Sequence, residues 1–395
     1  MPIESVRSHQ DERATLLTPA LLPLFDASFV TSCDLIKEFT ERLALEVFRS
    51  IGLPAACVGE VSVSEAVARA GLAPSIATVP VGWLLATLAR RGCLASSDGG
   101  SGELRYRLER PLPELPVGEI RQAQEAMAPG SLPSYAIAEL AARHYPAVLR
   151  GEVSGEQALF GPEGISAWVK YFSNANPLYA ISNAVGAIAA AQALAPGEST
   201  ILEIGGGLGS GAEALLDRLR AEGRLPQIAR YRFTEISPLF LKRAERTLAA
   251  RFPQVPFAFA SLDIDAPLAA AGVAPASCSM IYGVNVLHVA RDLVATLAQL
   301  RTALRSGGVL VMAECVRPFA GVPLHLEMVF NLLGSFRDAV RVPGWRPNGG
   351  FLSPEQWTAA MRANGFEAVE LCPDITAIRD HYPNFMVAAI VARRA

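Results

Sequence analysis

The chain has 395 residues, 51% of them apolar and 18% charged, with a formal net charge of −3. That length suits two domains with a sizeable core, and this composition excludes a disordered chain and a strongly basic nucleic-acid binder. Six scattered cysteines without a CxxC pair exclude a zinc ribbon, and with a polar N-terminus and no uncharged apolar run of spanning length they predict a cytoplasmic protein free of the membrane.

The first segment, residues 1–115, reads as three helices followed by a two-stranded ribbon. Ile36, Phe39, Leu43 and Val47 recur at helical spacing, and Gly52 and Pro54 stop that helix. In VSVSEAVARAGL, Ser62 or Ser64 caps a second helix and Gly71 ends it. A third helix is predicted from Val81 to Gly92. In SSDGGSGELRYRLERP, Asp98-Gly99-Gly100 supplies a turn, and Leu104, Tyr106 and Leu108 alternate on one face. This succession is the winged-helix pattern. Its third helix offers only Arg90 and Arg91 as cations, too few to neutralise a phosphate backbone, so no nucleic-acid partner is expected. The segment is predicted to make a homodimer, through the stripe Ile36, Phe39, Leu43 and Val47 that so small a domain would leave partly uncovered.

Residues 116–195 read as a helical linker that covers substrate. They hold the aromatic stretch Tyr171-Phe172-Ser173-Asn174-Ala175-Asn176-Pro177-Leu178-Tyr179 and an Ala-rich helix ending at Pro196-Gly197. Residues 196–395 alternate strands and helices. TILEIGG, YRFTEI, FAFASLDI, CSMIYGVNV and VLVMAEC are continuous apolar strands, which imply a parallel sheet covered on both faces. DLVATLAQLRTALRSGG reads as one helix. Ser353 caps a late helix with Pro354 at its first position, and FEAVELCP and NFMVAAIVARR read as two final strands. The fold class is therefore α/β, a Rossmann-like doubly wound sheet with a mainly helical N-terminal domain.

One turn carries the chemistry. Glu203-Ile204-Gly205-Gly206-Gly207-Leu208-Gly209 follows the first strand and opens a helix, at the carboxyl edge where such sheets bind ligands. The dinucleotide frame GxGxxG fails in both registers, at Ser210 and at Leu208, and no GxxxxGK[ST] exists. The pattern that fits is an acid followed by alternating glycines: Glu203, Gly205, Gly207 and Gly209.

With EIGGGLG, Glu235 in FTEIS, Asp263 in SLDID, Asn285-Val286-Leu287-His288 and SGGVLVMAE in this order, the chain resembles the class I S-adenosylmethionine (SAM)-dependent methyltransferases. FTEISPLFLKRA, NVLHVARDL and FLSPEQW are similar to the methylation domains of polyketide synthases. The winged-helix start resembles free-standing natural-product O-methyltransferases, where that domain makes a dimer. The resemblance implies a seven-stranded sheet and SAM as cofactor. It implies that Glu203, Gly205, Gly207 and Gly209 form the cofactor turn, that Glu235 grips the ribose hydroxyls, that Asp263 bonds the adenine amino group, and that Ile264 and Asn285 complete the set.

Methyl transfer needs the acceptor held about 3 Å from the methyl and, for a hydroxyl or an acidic carbon, a base. His288 is the candidate base, since imidazole titrates near neutral pH. Glu314, 26 residues on and at the end of the next strand, is placed to orient it. Tyr171, Asn174 and His325 are expected to meet substrate. His325 and Glu327, two apart on a helix, do not share a face, so no metal is expected. The insert Val316–Leu352 is rich in apolar residues, including Phe319, Leu324, Met328 and Trp345, and suits a small enclosed polyketide or aromatic, either free or held on a carrier protein. We read an oxygen acceptor first. A carbon between carbonyls is the alternative, and a SAM-binding protein with a non-methylating reaction is a further one.

Overall fold

In the computed structural model, which describes residue 13 and residues 16–100 and 103–395, the chain divides into two compact units. Neither is a continuous stretch. One is made of Thr31–Tyr171 and Gly321–Asp338; the other is made of the described residues up to Val30, Phe172–Ala320 and Ala339–Ala395. The division thus differs from three consecutive segments, because the chain leaves the second unit at Gly321 and returns at Ala339.

The first unit is mainly helical. The Ala27–Ser50 helix buries Ile36, Phe39, Leu43 and Val47, each at most 4% exposed. The stripe expected to serve a dimer is therefore covered within a single chain and offers no surface to a second copy. Ser62 caps the Val63–Arg69 helix, its Oγ accepting from the Glu65 amide and the Glu65 carboxylate accepting from the Ser62 amide. The next helix starts at Pro74, seven residues before the expected Val81, with proline in its first turn, and it ends at Arg90. The ribbon follows as β1 (Ala95–Asp98) antiparallel to β2 (Leu104–Arg107). Only part of its expected apolar face is covered: Tyr106 is buried, whereas Leu104 is exposed. Half of the apolar insert belongs to this core. Trp83 Nε1 donates to the Leu324 carbonyl at 2.9 Å, the Tyr145 hydroxyl donates to that of Met328 at 2.7 Å, and Leu324, Met328, Leu332 and Phe336 are buried. No single helix among the described residues is long and apolar enough to cross a membrane.

The second unit is built on seven strands: β3 (Ser199–Glu203), β4 (Ile228–Thr234), β5 (Phe257–Ala260), β6 (Cys278–Val284), β7 (Leu304–Cys315), β8 (Phe366–Cys372) and β9 (Val387–Arg394). Their order is β5-β4-β3-β6-β7-β9-β8. The first five are parallel; β9 runs antiparallel between β7 and β8. The middle strands are buried along their length, which the helices on both faces require: all seven residues of β6 are buried, as are Val309–Cys315 of β7. Each fully buried Leu, Ile, Met or Phe there contributes about 1.5–3 kcal/mol. The helix before β7 stops at Ala303 rather than reaching Gly308. Pairing decides this: Leu304 already stands opposite Cys278, and the Arg394 guanidinium bonds the carbonyls of Thr302 and Leu304. Strand order reverses at β3, whose two neighbours are β4 and β6. This is the switch point, where such sheets bind ligands outside the carboxyl ends of their strands, here β3 and β6.

Candidate active site

On the β3 side of the switch point the backbone itself makes the site. Ile204 donates to the Tyr282 carbonyl of β6 and Gly206 to the Thr234 carbonyl of β4, both at 2.9 Å, so the turn is sewn to both neighbours. Gly205 and Gly207 sit at φ +57°, a conformation that side chains disfavour. A Cβ on Gly205 would lie 2.3 Å from Val286 Cγ2, whereas nothing lies within 4 Å of one on Gly207. The turn is packed on one side and open on the other. Gly209, at φ +90°, is the N-cap of the Ser210–Ala221 helix.

Two carboxylates flank this turn. Glu203 ends β3, 1% exposed; its Oε2 accepts from the Tyr231 hydroxyl at 2.7 Å, and burial pushes its carboxyl up to about 8. Glu235 follows β4. Its Oε2 accepts from the Gly207 amide at 2.9 Å and its Oε1 from the Ser237 amide at 2.8 Å, and burial again raises its carboxyl. Among the described residues no cationic side chain hydrogen-bonds it. Asp263 is exposed past the end of β5, its Oδ1 accepting from the Asp265 amide, and Ile264 beside it is half-buried.

On the β6 side, side chains make the site. Asn285 turns the chain at φ +53°, a left-handed position that asparagine tolerates better than most residues. Its Oδ1 accepts from the Cys315 amide at 2.9 Å, and the Tyr179 hydroxyl bonds Asn285 and Ser210. The next two amides, of Val286 and Leu287, both donate to Glu314 Oε1, at 3.0 and 2.6 Å. Glu314 Oε2 meets His288 Nδ1 at 2.7 Å. His288 is 3% exposed and Glu314 fully buried. Three donors thus satisfy the carboxylate, and an Nδ1–H donated to it leaves Nε2 as the basic nitrogen of the ring. Phe351 packs on the imidazole at 4.6 Å between centroids.

The structure therefore gathers Glu203, Gly205, Gly207, Gly209 and Glu235 around one turn, and Asn285, His288 and Glu314 around the next. Asn174 is tied to the start of the helix after the glycine turn: its Nδ2 donates to the Ser210 carbonyl at 3.0 Å and its Oδ1 accepts from Asn183 at 2.8 Å. Tyr171 and His325 belong to the helical unit. Tyr171 is buried there against Trp168, and burial, with Lys37 nearby, pushes the His325 imidazole down to about 3. Among the described residues no group of three His, Cys, Asp or Glu could hold a metal ion. Sequence reasoning missed Tyr179 as an Asn285 partner, though the aromatic stretch pointed at it, and missed Phe351 and Arg346, which no local pattern marks.

Residues 202–310 match the family described as a methyltransferase domain. Over those residues the chain carries a methyltransferase domain. Beyond this match, the chain is 31% identical over 235 residues to polyketide synthase ThaQ of Burkholderia thailandensis, covering 57% of the chain and 11% of that protein. It is 28% identical over 264 residues to highly reducing polyketide synthase 2 of Gibberella zeae, covering 63% and 9%. It thus spans about a tenth of the length of the curated relatives it matches. Among solved structures it is similar in fold to the CurJ carbon methyltransferase, with a TM-score of 0.75 at 21% identity over 99% of this chain and 98% of the other. The citrinin polyketide synthase CMeT domain gives 0.72 at 17% identity, over 100% and 97%.

The residues fit the cofactor of this domain on two counts. The turn is open over Gly207, where a ligand can approach the backbone. The Glu235 carboxylate, engaged only by backbone amides among the described residues, has acceptor capacity left for a pair of hydroxyls.

Proposed function

We propose that the chain transfers the methyl of SAM to the carbon between two carbonyls of a polyketide-type acyl thioester. One observation carries this reading: the buried His288–Glu314 pair at 2.7 Å, set at the carboxyl end of β6 beside the cofactor turn. Bound SAM supplies an electrophilic methyl. The glycine turn, Glu235 and Asp263 hold it, and the rest falls to the side chains of this chain. His288 Nε2 takes the proton that two flanking carbonyls acidify. Glu314 holds the ring in one tautomer and balances the imidazolium that forms, as the acid of other base-assisted sites does. Burial of the pair keeps water from competing for the proton. The relatives and solved neighbours named above support the carbon acceptor, since they are polyketide synthases and carbon-methylating domains. The expectation from sequence leaned to oxygen, and the three-helix-and-ribbon order of the N-terminal segment favours it as the second reading.

The test uses isotopically labelled SAM with two probes, the N-acetylcysteamine thioester of acetoacetate and a simple phenol. Label on the α-carbon of the thioester is expected. Label on the phenol oxygen alone supports the second reading, and SAM binding with label on neither counts against methyl transfer to these classes.

A further inference from the structure

The returning half of the apolar insert is bonded onto the turn that carries His288. Val340 donates its amide to the Arg291 carbonyl at 2.7 Å, and Val342 and Arg346 pair with each other through their backbones at 2.8 and 2.9 Å. This closed loop aims one side chain inward. Arg346 is fully buried. Its Nη2 donates to the Ala290 carbonyl at 2.7 Å and the His288 carbonyl at 3.3 Å, and its Nη1 to that of Arg291 at 3.3 Å. These carbonyls lie at the end of the short Leu287–Val289 turn, where the chain's own hydrogen bonds run out and the carbonyl dipoles favour a cation. Asp265 and Asp292 add their negative charge from nearby, and the Asp265 carboxylate also accepts from the Arg291 amide at 2.8 Å. Five residues beyond Arg346, Phe351 reaches the other side of the same turn and packs on the imidazole.

Burying an arginine is costly, and here its Nε has no hydrogen-bond partner among the described residues. An apolar residue would fill the volume without that cost, but it would forgo the bonds to the carbonyls of His288 and Ala290. We propose that Arg346 is a positioning residue for His288: it fixes the 288–291 backbone so that the imidazole stays between Glu314 and Phe351. The inference rests on reading His288 as the base. It assigns to Arg346 no contact with substrate or cofactor, so its removal alters turnover and not SAM affinity.

The experiment compares Arg346→Met and Arg346→Lys in the full chain, each with His288 intact and with His288→Ala. Three readouts are taken: SAM affinity by calorimetry, turnover of the acetoacetyl thioester, and the downfield proton signal of an imidazole N–H held by a carboxylate. His288→Ala identifies that signal by its loss. In Arg346→Met the signal is expected to broaden or vanish and kcat to fall about ten- to a hundredfold, the scale of a misplaced reacting group, with SAM affinity within about twofold. Arg346→Lys, which keeps the charge but reaches fewer carbonyls, is expected to fall between. In the His288→Ala background Arg346→Met should cost little more, because the two residues act as one unit. A folded Arg346→Met with the signal and kcat of wild type overturns the proposal; so does a loss of equal size with and without His288. Should Arg346→Met not fold, Arg346→Lys decides, and wild-type turnover and signal in it count against the inference. A His288→Ala chain that turns over normally instead overturns the base reading itself, whatever Arg346 does.

Discussion

The two sides of the switch point are built by different means. At the ends of β3 and β4 the site is backbone: a turn whose curvature is set by glycines and whose one charged partner, Glu235, lies 28 residues from the amide it accepts from. At the ends of β6 and β7 it is side chain on side chain. His288 depends on Glu314, on Phe351 and on Arg346, the last two delivered by a segment that has first passed through the other unit. The first side is suited to holding a ligand common to many chains, since backbone geometry recognises it. The second is suited to chemistry, since a base must be aimed, and aiming takes several independent contacts. On this account, damage on the first side falls on SAM binding and damage on the second falls on turnover.

The strongest way to break that separation is at the base. His288→Ala is expected to lower turnover of the accepted probe by about 10²–10⁴. Steady-state rates at saturating SAM would show it, and a loss under about tenfold would mean that proximity alone carries the reaction. Next comes Glu235→Ala, which on the proposed reading removes charge-assisted hydrogen bonds to the ribose hydroxyls. SAM should bind about tenfold to several hundredfold more weakly while kcat at saturation holds. Glu314→Gln keeps the volume and loses the charge; a drop of about ten- to a hundredfold in kcat is expected, smaller than that of His288→Ala, with SAM affinity preserved. Gly205→Ala tests a place where the two sides touch. A methyl there must enter the space of Val286 Cγ2 in a left-handed backbone, which should cost about 1–3 kcal/mol in urea unfolding and lower SAM affinity and turnover together.

A separate prediction, on stability rather than on SAM affinity or turnover, is a pH slope. The Glu203 carboxyl titrates near 8 in the folded chain, against about 4.3 unfolded. Between those values the folded state keeps a proton that the unfolded state has lost, so this group makes the ligand-free protein less stable as pH rises toward 8, and adds no slope above it. Thermal unfolding followed through that window should show the wild type losing stability relative to Glu203→Gln. Parallel curves would mean that the buried carboxyl is already ionised.

The same contrast explains what could be read in the sequence. The strands, the glycine turn and Glu235 announce themselves through continuous apolar runs and alternating glycines, features confined to a few residues each. His288 and Glu314 stood out because each ends a recognisable strand. Arg346 and Phe351 did not, because their role comes from a chain that returns after a detour of 18 residues, from Gly321 to Asp338, in another unit. The apolar insert read as suited to a small enclosed substrate for the same reason: its leucines and phenylalanines signal burial, but not which core receives them. The stripe at Ile36, Phe39, Leu43 and Val47 was likewise visible as apolar, while the helices that cover it within the chain were not visible as its neighbours.

The division between holding and aiming is tested most directly without any acceptor, by titrating SAM calorimetrically into the wild type, Glu235→Ala and His288→Ala. The account requires His288→Ala to bind SAM as the wild type does, within about twofold, and Glu235→Ala to bind at least about tenfold more weakly. Wild-type affinity in a folded Glu235→Ala, or a loss in His288→Ala as large as that in Glu235→Ala, would contradict it.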